Sequence, residues 1–225
     1  MWAGGECWII GGGPSMPYQF DVPEDIIKAV ISTELKPSAY SPYLSPIHKK
    51  HLIGINNAYE LGAYVDVCFF GDCSWYLVHR ERLAGFPGIK ITCCPRWEAK
   101  KPGTDGLKFL QKDSSHRQGI TTNPCKVAWN ANSGASAISV ARHFGVKRIV
   151  LLGFDMQRGP KNAAHWHNSH GNARKAPPFK KHLQGWPAIA ADAKEMGIEI
   201  INASPDSKIK EFPRVSVKEL LQDGE

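Results

Sequence analysis

Trp8-Ile9-Ile10-Gly11-Gly12-Gly13-Pro14-Ser15 is the stretch that decides the fold. Its large apolar residues run without polar alternation, as in a strand buried on both faces, and the chain then turns at once through three glycines. A second glycine-containing turn, Asn132-Ser133-Gly134-Ala135-Ser136-Ala137, opens a helical pattern. It leads into the buried-strand run Arg148-Ile149-Val150-Leu151-Leu152-Gly153-Phe154-Asp155. Glycine lets a backbone approach a phosphate closely, and the start of a helix offers unpaired N–H groups to an anion. Both turns fall where an open α/β sheet holds a nucleotide, beyond the carboxyl end of a strand.

Working outward, short apolar runs predict strands at residues 7–10, 52–55, 67–70, 89–93, 148–152 and 199–202. Helical periodicity falls at 23–32, 75–83, 135–144 and 187–196, with a short helix at 216–221. Gly145 and Gly197 stand where the C-terminal caps of two of these helices belong. Strand and helix in alternation predict one Rossmann-like α/β domain over residues 1–225, with a mostly parallel, doubly wound sheet. The polar stretches 98–130 and 157–181 break the alternation and read as long, lid-like loops.

A hydrophobic share of 42% against 22% charged residues is that of a globular chain, not a disordered one. No apolar stretch approaches the roughly 20 residues that span a bilayer. Glu6 precedes the first short strand in place of the basic segment of a secretion signal. Six cysteines, Cys7, Cys68, Cys73, Cys93, Cys94 and Cys125, form no CxxC pair and no metal-finger spacing. Three of them fall inside strands as small apolar residues. A cytoplasmic, reducing compartment is the expectation. The net charge of +7, concentrated at Lys147-Arg148, 158–161 and 174–181, suits an anionic partner: a nucleotide's phosphates, an acidic glycan, or an anionic polymer such as nucleic acid. No finger, helix-turn-helix or RNA-binding signature accompanies it.

The first turn, Gly11, Gly12, Gly13, Pro14 and Ser15, lacks the lysine of the P-loop, and Pro14 removes one N–H donor. Ser15 offers a hydroxyl near the helix start. Asn56 and Asn57 follow the second strand, where an amide can read a base or ribose. Asp66 precedes the third strand as a structural cap; Asp72 and Asp155 follow the third strand and the 148–152 strand. They can orient sugar hydroxyls or share one Mg²⁺, although no Asp-x-Asp motif is present. His165-Trp166-His167-Asn168-Ser169-His170 lacks the fourth ligand of a zinc site and reads as a histidine-bearing loop. His182, ahead of the 187–196 helix, has the chemistry of a general base at neutral pH.

The blocks Gly11-Gly12-Gly13-Pro14-Ser15, the strand ending in Asn56, Asn132-Ser133-Gly134 with its helix, and Gly153-Phe154-Asp155 resemble glycosyltransferase family 42, the bacterial sialyltransferases. They are also similar to the motility-accessory-factor glycosyltransferases and the archaeal hydroxymethylpterin diphosphokinases, which share an aspartate pair spaced like Asp66 and Asp72. The first resemblance implies transfer of a sugar from a CMP-linked donor to a glycan or other hydroxyl acceptor, without an essential metal. It places the nucleotide on residues 11–15 and 132–136 and the general base at His182; Lys180 or Lys181 is expected to help neutralise the leaving phosphate. No tyrosine pair is evidently placed for that phosphate; Tyr40 and Tyr43 are substitutes. The second resemblance implies a Mg²⁺-dependent diphosphokinase using Asp72 and Asp155. A nucleotide-binding protein without catalysis is the third reading. His165, His167 and His170 compete with His182 for the base.

Overall fold

After its first residue, β1 (Glu6–Ile10) is buried throughout, because parallel strands lie on both of its sides and helices cover both faces. Alternate side chains divide between two cores. Trp8 and Ile10 join one with Tyr40, Phe70 and Trp166; Cys7 and Ile9 join the other with Phe69, Leu151 and Ile189. The structure, a computed structural model, describes residues 2–95, 106–113, 118–168 and 178–222.

The remaining strands are β2 (His51–Ile55), β3 (Val67–Phe70), β4 (Ile89–Thr92), β5 (Leu107–Phe109), β8 (Arg148–Leu152) and β9 (Glu199–Asn202). They form one seven-stranded sheet in the order β5-β4-β3-β2-β1-β8-β9, with every pairing parallel. Two short strands, β6 (Gln111–Lys112) and β7 (Lys126–Val127), pair separately. Helices α1 (Glu24–Ile31), α2 (Cys73–Ala84) and α6 (Val217–Gln222) cover the first core through Ile27, Val30, Leu83 and Leu220. Helices α3 (Ser133–His143) and α5 (Trp186–Glu195) cover the second through Ile138, Val140, Ile189 and Ala193. A single turn, α4 (Phe179–His182), precedes α5.

The doubly wound, Rossmann-like expectation therefore holds, and Gly145 and Gly197 carry the positive φ of helix caps, +86° and +61°. Asp66 ties the sheet as a structural residue: its carboxylate accepts from Leu52 N–H at 2.8 Å, at the start of β2. The loop expectation is corrected within 98–130, where β5, β6 and β7 form. It is corrected again at α4 within 157–181. His170 and the basic residues Arg174 and Lys175 lie outside the described residues. Among the described residues no helix is long and apolar enough to cross a membrane.

The chain leaves β1 toward β5 on one side and returns on the other side as β8 and β9, so the order reverses between β1 and β8. A crevice opens there, outside the carboxyl ends of the strands, as the open-sheet rule requires.

Candidate functional site

A cavity of about 550 Å³ fills that crevice. Gly11, Gly12 and Gly13 after β1, Asn56 after β2, Gly71 and Asp72 after β3, and Gly153 to Asp155 after β8 all line it. Asn132, Ser133 and Gly134 at the start of α3 also face it, with His165, His167 and His182. Most of the residues expected at a nucleotide site are thus brought together, but the roles of several change.

The glycine turn is packed against β8 and its loop. Gly11 N–H donates to Leu152 O at 2.8 Å, and Gly13 N–H donates to Gly153 O at 2.7 Å. Ser15 N–H donates to the Asp155 carboxylate at 3.1 Å. With Pro14 lacking a donor, Gly12 alone in this turn keeps an N–H with no partner among the described residues. A Cβ on Gly13 would lie 2.0 Å from Asp155 Oδ2 and 2.5 Å from Gly153 O. Glycine at 13 admits the aspartate and the neighbouring backbone; the turn is not a ring of donors for a phosphate. Ser15 does not line the cavity.

Asp155 is 4% exposed. Burial raises its carboxyl above the usual aspartate range, and hydrogen bonding to Ser15 opposes that rise. Asp72 caps α2: its Oδ1 accepts from Ser74 N–H at 2.9 Å and from the Ser74 hydroxyl at 2.8 Å. Three strand positions separate β3 from β8, roughly 14 Å at about 4.8 Å per strand. The expected Mg²⁺ pair therefore stands on strands three positions apart, with each carboxylate already accepting a hydrogen bond, Asp72 from Ser74 and Asp155 from Ser15. Among the described residues no group of three or more His, Cys, Asp or Glu side chains is arranged to hold a metal.

Adjacent asparagines go opposite ways. Asn56 has a left-handed backbone (φ 51°), lines the cavity, and keeps a buried Oδ1 with no hydrogen-bond partner. An orphaned buried amide oxygen is costly unless a ligand donates to it. Asn57 is fully buried and does not line the cavity. Its Oδ1 accepts from Trp75 Nε1 at 2.8 Å, and its Nδ2 lies 3.4 Å from Glu60 Oε2 and from His79 Nδ1. That structural cluster removes Asn57 from the nucleotide-binding set.

Asn132 is the N-cap of α3. Its Oδ1 accepts from Gly134 N–H at 2.9 Å and from Ala135 N–H at 3.4 Å, while its Nδ2 donates to His182 O at 3.5 Å. The cap consumes donors that an anion would use and ties α4 to the start of α3. His182 is half-buried, and burial, followed by the charge of Lys181, lowers its pKa below the ordinary imidazole value. Lys180 and Lys181, expected near a phosphate, are exposed and do not line the cavity, although their neighbours Phe179 and His182 do.

His165 and His167 also face the cavity, with their rings stacked at 5.4 Å. Trp166 between them turns into the core. Its Nε1 donates to Gly11 O at 2.8 Å and its N–H to Gly12 O at 3.1 Å, strapping this loop across the glycine turn. Tyr40 is buried with its hydroxyl donating to Trp166 O at 3.0 Å, so it supports the strap from outside the cavity. Tyr43 does not line the cavity either.

Lys112 and Trp129, which no sequence motif marks, complete the lining near Gly71. The cysteines are corrected at one pair: Cys73, the first residue of α2 and a lining residue, forms a disulfide with Cys94, with Cα atoms 5.4 Å apart. Cys7, Cys68 and Cys93 are buried free thiols. Burial pushes the Cys7 and Cys68 thiols well up, and that of Cys93 up to about 11, as for inert core residues.

No protein-family model matches the chain, and no curated protein matches it significantly. Solved structures do share its fold. A motility-accessory-factor glycosyltransferase from Magnetospirillum magneticum AMB-1 matches 95% of this chain at a TM-score of 0.57 and 12% identity. This chain spans about a third of that protein's length, 34%. The monofunctional α-2,3-sialyltransferase Cst-I from Campylobacter jejuni matches 93% of this chain and 79% of its own at a TM-score of 0.50 and 13% identity. At these identities the likeness is one of fold: a Rossmann-like α/β sheet of the kind found in sialyltransferase-like glycosyltransferases.

Proposed function

We propose that the chain is a glycosyltransferase that moves a sugar from a CMP-linked donor to a hydroxyl on a glycan or other acceptor. The observation that carries this reading is the half-buried imidazole of His182, facing a cavity at the point where the strand order reverses. The fold shared with glycosyltransferases supports it. The preference for CMP rests on the likeness of the glycine, asparagine and Gly-x-Asp blocks to family 42.

In this mechanism the nucleoside lies along Gly11 to Gly13 and Gly153 to Asp155, and an N–H or O–H of the donor satisfies Asn56 Oδ1. The anomeric C–O bond to the phosphate breaks, and its electron pair stays on the phosphate oxygen. The acceptor oxygen forms the new bond to the anomeric carbon, and its proton passes to His182. A lowered pKa keeps this imidazole neutral, and therefore basic, at pH 7. The rate should accordingly rise with pH through a value below 6.5 and be level at neutral pH. A rate that instead falls as pH rises from 5 to 7 would require a protonated histidine acting as an acid.

The reaction needs no metal in this reading, as the likeness to family 42 implies. The test is thermal unfolding with nucleotides. CMP at 100 times its dissociation constant should stabilise the fold by about 2.7 kcal/mol, with EDTA making no difference. Stabilisation by purine nucleotides alone, or only with Mg²⁺, would overturn the donor assignment in favour of the diphosphokinase reading.

A further inference from the structure

We propose that Lys112 receives the phosphate of the nucleotide donor and stabilises its departure. The inference rests on the nucleotide-donor reading above and adds to it the residue that meets the charge.

The turns that frame the cavity have little left for an anion. Gly11, Gly13 and Ser15 spend their N–H groups on Leu152, Gly153 and Asp155, while Gly134 and Ala135 spend theirs on Asn132. Ser136 N–H is engaged by the Asn132 carbonyl. In the glycine turn and the first turn of α3, the amides of Gly12 and Ser133 have no partner among the described residues. A helix start contributes a partial charge of about half a unit. A nucleoside monophosphate leaves with two full negative charges.

Lys112 is the only lysine or arginine among the described residues that line this cavity. Its ammonium sits 4.0 Å above the Trp129 ring and donates to Gly71 O at 3.3 Å. No carboxylate partner is present for it among the described residues. The seat is built closely: a Cβ on Gly71 would lie 2.5 Å from the Trp129 ring. The ammonium is thus held in place with no carboxylate among the described residues to match its charge.

Its position suits the phosphate end of a nucleotide. Gly11 follows β1 and Gly71 follows β3, two strand positions and roughly 10 Å away. A nucleoside seated over the glycine turn then directs its phosphate past Asn56 toward Lys112. In the donor the phosphate is a diester with one negative charge. As the anomeric C–O bond breaks, the electron pair adds a second charge, and a fixed ammonium binds the product-like state more strongly than the ground state.

The experiment measures binding of CMP and of cytidine to the whole chain and to Lys112→Met and Lys112→Arg. Lys112→Met keeps the aliphatic stem on Trp129 and should melt like the parent when unliganded. It should weaken CMP binding by roughly 10- to 100-fold, leave cytidine unchanged, and flatten the salt dependence of CMP binding. Lys112→Arg should recover part of the loss. If Lys112→Met loses CMP and cytidine equally, or neither, Lys112 does not meet the phosphate. The proposal fails equally if Lys180→Met or Lys181→Met lowers the CMP-to-cytidine ratio and Lys112→Met does not. A parent chain that binds neither ligand overturns the nucleotide-donor reading itself, and this inference with it.

Discussion

Replacing His182 with alanine is expected to lower turnover by about 10²- to 10⁴-fold, the range that a general base supplies. CMP affinity should change little, because the imidazole acts on the acceptor hydroxyl and not on the nucleotide. The substitution is clean in one respect: Asn132 donates to the backbone carbonyl of residue 182, so the tie between α3 and α4 survives it. The pH profile makes the test specific. Burial and Lys181 favour the neutral imidazole, so the active form predominates above the lowered pKa and is lost as pH falls through it. That acidic limb should disappear from the residual activity of His182→Ala. His165 and His167 supply the decisive control, since both face the same cavity. Turnover lost in His167→Ala and retained in His182→Ala would move the base to the strap. A merely structural histidine would show a lower melting temperature with an unchanged rate per folded molecule.

Particular residues show why the sheet could be read from the sequence and the site only in outline. Val67–Phe70, Arg148–Leu152 and Glu199–Asn202 emerge at the predicted bounds, because two-sided burial writes an unbroken apolar run. β5, β6 and β7 have three, two and two residues, too few for any period to register. The position of Lys112 depends on that missed segment, so the cation in the cavity was illegible while the exposed Lys180 and Lys181 attracted the role. Asn56 and Asn57 are chemically identical, and only the 3-10 turn Asn56–Leu61 sends one toward the cavity and the other into the core. The Cys73–Cys94 bridge spans 21 residues with no motif to announce it. The side that His165 and His167 share was not legible either, because residues 164–167 form a run of bends in which no strand period registers.

Gly13→Ala is expected to destabilise the chain and abolish CMP binding together. The added Cβ would meet Asp155 Oδ2 at 2.0 Å and Gly153 O at 2.5 Å, and one of these contacts is backbone that cannot swing away. Overpacking costs about 1–3 kcal/mol in ordinary cores, and here it also threatens a charge-assisted hydrogen bond, from Ser15 N–H to Asp155. For a chain of this size each kcal/mol lowers Tm by about 2–4 °C. Gly12→Ala isolates the site from the fold. Its Cβ would lie 3.0 Å from His165 Nδ1, the movable end of a side chain, so melting should be near that of the parent while His165 is displaced. Asp155→Asn keeps an acceptor oxygen for Ser15 N–H and should fall between the two in stability. A Gly13→Ala chain that melts like the parent would show that Asp155 does not lie beneath the turn. The expected loss would instead make the third glycine a requirement of a buried carboxylate, with the phosphate left to be met elsewhere in the cavity.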